Sequence, residues 1–175
     1  MTPVDIPKIT SIADLFAVAY QIEIDAVERY KILAEQMQTH NNPDLVKVFH
    51  DLSRAEGIHA EEIRRQAGDI DVVAHAREVA KWKKGDSPEE ADLSDAHYLM
   101  TPWHALKLAL NGEERALAFF THILETTQDE KIKQMAKEFA EEETEHVELC
   151  HRLLKKYPRP AASWAQDPDP PVSQE

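Results

Sequence analysis

Four stretches of this chain can be written as seams of alternating three- and four-residue steps, the spacing that turns one helix face toward a bundle core. The first seam is Phe16, Ala19, Glu23, Ala26, Tyr30, Leu33 and Met37; the second is Leu45, Phe49, Leu52, Glu56, His59, Ile63 and Gln66. The third is Leu106, Ala109, Glu113, Ala116, Phe120, Ile123 and Thr127; the fourth is Ile132, Ala136, Phe139, Glu143, His146, Cys150 and Leu153. Each is apolar at most positions and broken near its middle by Glu, or by Glu and then His three residues on. One seam carboxylate can bend out to water. Four at one level cannot, and each left unpaired in a core costs on the order of several kcal/mol. The pattern therefore predicts an all-α four-helix bundle whose carboxylates share cations.

Composition and punctuation support helices. Glycine is scarce, at 4 of 175 residues, and runs of β-branched residues are absent. Helices are predicted over residues 11–37, 43–67, 102–127 and 129–157. Ser11 is a cap, Gly68 suits a left-handed stop, Thr101 precedes Pro102 at the first helical position, and Pro158 ends the last helix. The first and second helices, and the third and fourth, are joined tightly, so each pair should be an antiparallel hairpin. Residues 69–101 are long enough to cross the whole bundle, which leaves the second and third helices parallel. A short helix is expected around residues 72–82. The two halves also repeat: Glu23-x-x-Ala26-x-x-x-Tyr30 matches Glu113-x-x-Ala116-x-x-x-Phe120, and Glu56-x-x-His59 matches Glu143-x-x-His146.

Residues three apart share a helix face, so Glu56 with His59 can grip one ion and Glu143 with His146 another, while Glu23 and Glu113 each add a carboxylate. Four oxygen-donor and two imidazole residues suit iron or manganese better than a thiolate-rich zinc site. Glu142 and Glu145 fall off the fourth seam, and Glu114 points about 100° away from Glu113. Glu62, three residues past His59, is the first candidate for an extra participant. Tyr30 lies two turns beyond Glu23, about 10 Å along the axis, and is either core filler or a hydrogen-bonding or redox neighbour of the metals. Cys150 reads as a small core residue. His104 and His122 flank the third seam as partly exposed residues, and His75 belongs to no constellation.

The formal charge is −13, which repels nucleic acid and anionic lipid and attracts cations, although it also serves solubility. One cysteine excludes an internal disulfide and a four-cysteine iron site within these residues. The N-terminal residues carry no basic-then-apolar signal, and no apolar run approaches the roughly 20 residues of a membrane span, so a cytoplasmic protein is expected. Residues 1–157 form the expected domain. Residues 158–175, rich in proline and acid, read as a disordered tail in which Trp164 could dock to a partner or a container shell.

The motifs Glu23-Ile-Asp-Ala-Val-Glu-Arg-Tyr30, Glu56-Gly-Ile-His59, Glu113-Glu-Arg-Ala116 and Glu143-Thr-Glu-His146 resemble those of the ferritin-like superfamily, most closely its rubrerythrin-type branch. The resemblance covers residues 11–157. It implies a ferritin-like bundle holding two irons that react with dioxygen or hydrogen peroxide, a reaction ferritins use to oxidise and store iron and rubrerythrins to reduce peroxide. Two departures matter. The cysteines of a rubredoxin domain, the usual electron source, are missing here, so the electron donor is unknown. The further glutamate that rubrerythrins carry three residues after the first on the third helix is Ala116, which leaves a six-ligand site closer to that of bacterioferritin. The expected function is oxidation of Fe(II) by dioxygen or peroxide in a homodimer or larger homo-oligomer. Storage or delivery of iron, as cargo of a larger shell, and a purely structural bundle are the alternatives.

Overall fold

The computed structural model describes residues 7–80 and 100–161. Among these, five helices form: α1 (Ile12–Thr39), α2 (Pro43–Ala67), α3 (Val72–Val79), α4 (Pro102–Thr126) and α5 (Glu130–Leu154). Each begins at a residue whose side chain can take up an orphan backbone N–H. The Ser11 hydroxyl accepts from the Asp14 amide at 3.1 Å, and the Asp14 carboxylate accepts in return from the Ser11 amide at 3.0 Å. The side chains of Asn42, Asp71 and Asp129 accept from backbone amides in the first turns of α2, α3 and α5, without the return bond. At Thr101 the return partner is His104 Nδ1, 3.2 Å from the Thr101 amide, so this flanking histidine serves the cap.

The hairpin turns are short. Asn41 adopts φ 53° between α1 and α2, and Gly68 adopts φ 61° after α2; asparagine and glycine tolerate this left-handed region best. The last helix ends at Leu154 rather than running to residue 157. Lys156 and Tyr157 bond back only three residues, to Leu153 and Leu154, because Pro158 disfavours helical backbone in the residue before it. The short helix stops at Val79; the remainder of its expected span from Lys81 to Trp82 lies outside the described residues, as does the connection over 81–99. Of the tail, residues 158–161 carry no regular structure, and 162–175 with Trp164 lie outside the described residues.

The core is divided. One apolar cluster takes Phe16 and Ile22 from the start of α1, Ile63 from the end of α2, Phe119 and Ile123 from the end of α4, and Ile132 and Phe139 from the start of α5. The other takes Leu33 and Met37 from the end of α1, Leu45 and Phe49 from the start of α2, Leu106 and Leu110 from the start of α4, and Cys150 and Leu153 from the end of α5. Both α2 and α4 therefore run from the second cluster to the first. They are parallel. The short helix α3 lies on α1, with Val72 in the first cluster and His75 Nε2 2.8 Å from Asp14 Oδ1. The seam positions are buried almost throughout. The exceptions include Gln66, which is exposed while Ala67 turns inward, because α2 drifts out of a strict 3.5-residue repeat. Among the described residues, no helix is long and apolar enough to cross a membrane.

Candidate metal centre

Between the two apolar clusters lies a charged layer. Glu23, Glu56, Glu113 and Glu143 are each at most 5% exposed, one from every long helix. The imidazoles of His59 and His146 stack across the layer from α2 and α5, centroids 5.6 Å apart and 10° from parallel. His59 Nδ1 sits 3.3 Å from Glu56 Oε2 and 3.8 Å from Glu23 Oε2. His146 Nδ1 sits 3.2 Å from Glu56 Oε1 and 3.3 Å from Glu113 Oε2. All six residues singled out by the seams are thus brought into one layer.

Three sets of ligand atoms lie within 4.8 Å of one another: Glu113, Glu143 and His146; Glu56, His59 and His146; and Glu23, His59 and Glu142. The last contains a residue that the seam analysis set aside. Glu142 is off the seam by one position and is exposed, on the side where His59 keeps 26% of its side chain open. Helix rotation places its long side chain at the rim of the layer rather than inside it. Glu62, the expected extra participant, lies elsewhere: its carboxylate is engaged by Arg65 and Gln66 on the surface of α2. An i,i+3 arginine on the same face captures it before it can turn inward.

Proton affinities record the crowding. Burial, and then the charges of Glu56 and Glu113, push Glu23 well above the carboxylate range; burial, Glu113 and Glu23 do the same to Glu143. Glu113 goes the other way. Burial would raise it, but Arg29 and His146 outweigh that and hold it at about 2. His146 rises to about 9, because Glu113 and Glu56 overcome the effect of burial. Glu56 raises His59, against burial. Glu142 is raised by partial burial.

Arg29 is the second residue that the seams did not reveal. Its side chain is 0% exposed, with Nη2 2.5 Å from Glu113 Oε1. Tyr30 donates its hydroxyl to that same oxygen, so it is a hydrogen-bonding neighbour of the layer, reached from the antiparallel helix rather than along its own. Tyr30 is fully buried and stacks on Phe49 at 6.0 Å. Cys150 is a buried free thiol, pushed up to about 12 by burial and by Glu113. That matches a core role, since the thiolate is the reactive form.

The donor set fits a divalent metal ion on an observation beyond the spacing of the motifs. Glu56 Oε1 and His146 Nδ1 are buried and have no hydrogen-bond partner although they lie 3.2 Å apart. Buried polar atoms are nearly always satisfied, and a cation between them would satisfy both.

Fold and layer together define a ferritin-like four-helix bundle with a carboxylate–histidine centre. A family model described as rubrerythrin matches residues 14–154. The chain belongs to the rubrerythrin family, whose members typically bind iron. It is also similar to a solved crystal structure of an uncharacterized conserved protein from Magnetospirillum magnetotacticum, at 32% identity and TM-score 0.68, covering 87% of this chain and 99% of that one. No protein among those of curated function matches.

Proposed function

We propose that this chain is a non-haem di-iron protein that oxidises Fe(II) with dioxygen or hydrogen peroxide and so handles iron and oxidative stress. The observation that carries the reading is the layer itself: four buried carboxylates and two imidazoles, with two donor atoms that lack hydrogen bonds facing each other, between two apolar clusters. Glu113, Glu143 and His146 would hold one iron; Glu23, Glu56 and His59 would hold the other. When bound, the two irons would supply the electrons that reduce the oxidant.

The protein's own part is positioning and charge. Helical i,i+3 spacing fixes each Glu–His pair without a flexible loop. The apolar clusters above and below exclude water, which strengthens every electrostatic contact inside. The half-open edge of His59, with the exposed Glu142 beside it, supplies a route for an ion or a small oxidant from solvent. The four carboxylates would offset the charge of bound metal, including any rise on oxidation.

Rapid Fe(II) oxidation with two irons per chain is expected in the wild type, and its loss in Glu56→Ala and Glu143→Ala, read by stopped-flow absorbance. Unchanged oxidation in both variants would sink the proposal. If the bundle were purely structural, purified protein would carry no metal and chelator would leave its melting temperature untouched.

A further inference from the structure

The two halves of the chain are one hairpin used twice, so each residue around Glu23 has a counterpart around Glu113. Ile22 corresponds to Gly112, Phe119 to Arg29 and Phe120 to Tyr30. Where α1 and α4 meet on one side of the charged layer, Ile22, Phe119 and Phe120 share an apolar cluster; where they meet on the other, a guanidinium and a phenol from α1 sit on a carboxylate of α4. Both of these polar groups meet one atom, Glu113 Oε1.

The arginine has been given room. A Cβ on residue 112 would lie 1.8 Å from Arg29 Nη1 and 2.5 Å from its Cζ, so any side chain there would displace the guanidinium from this position. A glycine inside a helix costs roughly 1 kcal/mol relative to alanine, and a packing demand of this kind accounts for it. The guanidinium also lies 4.6 Å from the centre of the Tyr30 ring, which braces it from a second side. A fully buried cation held this way cannot swing out to water when metal enters.

We propose that Arg29, seated in the Gly112 notch, is a resident cation of the centre that keeps one oxygen of Glu113 for itself and Tyr30, so that Glu113 offers metal a single oxygen and the two metal positions are unequal. This rests on the di-metal reading above. Glu113 Oε2 faces His146 Nδ1 at 3.3 Å and is the atom left to bind. With one oxygen committed, Glu113 would not span two ions through both of its oxygens. The fixed positive charge beside it weakens the position served by Glu113, Glu143 and His146 relative to the one served by Glu23 and His59. Arg29 acts here as a positioning residue.

The test is calorimetric titration of the metal-free protein with Co(II), together with the visible spectrum of the bound ion and a cobalt-loaded crystal structure. Wild type should bind two ions with dissociation constants separated by about tenfold or more, as a nearby buried charge dictates. In Arg29→Gln the weaker position should tighten by about tenfold and the tighter one stay put. The cobalt bands should weaken as Glu113 adds its second oxygen. A mere structural prop would do the reverse, loosening both positions when removed. Gly112→Ala, which expels the guanidinium without touching a charged residue, should move in the same direction, and it carries the test if Arg29→Gln does not fold. Weaker or unchanged binding in the folded variants overturns the inference, as do both Glu113 oxygens on cobalt in the wild-type crystal. Wild type that takes up no Co(II) defeats the di-metal reading itself, and shows this before any variant is made.

Discussion

Glu23 illustrates what a metal-binding residue costs when no metal is bound. It is buried, faced by Glu56 and Glu113, and pushed well above the ordinary carboxylate range by burial and by those neighbours. Replacing it by the neutral amide should relieve the metal-free protein. Glu23→Gln is expected to raise stability in chelator by about 1–2 kcal/mol, because the buried carboxyl must either stay charged or take up a proton on folding and the amide does neither. The same variant should lose most of the extra stability that divalent metal confers on the wild type. Denaturant unfolding with and without metal checks both halves; a destabilised metal-free variant would contradict the account. The six layer residues were legible in the sequence because each interrupts an apolar seam, and a seam break needs explaining. Arg29 was not legible, since an arginine beside a seam normally reads as a solvated charge. Its one trace is Gly112, a helix-interior glycine directly before a seam glutamate. Glu142 was hidden for another reason: one step off the seam is the rim, and a glutamate is long enough to reach in from there.

At the scale of elements, the start of α1 is tied down by Asp14. Its carboxylate accepts from the Thr10 and Ser11 amides and the Thr10 hydroxyl, and Oδ1 meets His75 of α3. Burial would raise Asp14, but the bonds from Thr10, His75 and Ser11 outweigh it and bring it from 3.8 to about 2. A depressed carboxylate contributes stability that is present above the unfolded value and lost as pH falls through the folded one. Asp14→Ala should therefore cost about 2 kcal/mol at pH 7, with the difference from wild type shrinking between about pH 4 and pH 2. Parallel urea titrations across that range would show it, and a pH-independent difference would argue against it. Helix starts were legible to within a residue because caps are local chemistry. Ends were less so: α5 stops at Leu154 under the influence of Pro158, and the pairing of His75 with Asp14 joins residues too distant in sequence for any spacing rule to find.

Across the whole molecule, the duplicated hairpins and the parallel course of α2 and α4 were readable from repeat spacing and from the length of the connection between them. What the repeat concealed is that its halves are no longer equivalent at the centre. Because donors come from all four long helices, bound metal cross-links both hairpins at once. Free Co(II) at a hundredfold excess over its dissociation constant should then stabilise the fold by about 2.7 kcal/mol per site, and chelator should reverse this, as a thermal melt would record. No metal-dependent shift would mean that the layer does not bind.

The division of the core into two clusters has a mechanical consequence. Apolar packing resists deformation more than a crowded charged layer whose contacts centre on Glu113 and His146, so the metal-free molecule should behave as two stiff ends joined by a more compliant waist. Among the buried helical amides, exchange should be fastest around Ala26 and Ala60, which belong to neither cluster, and should slow there most of all once ions stiffen the joint.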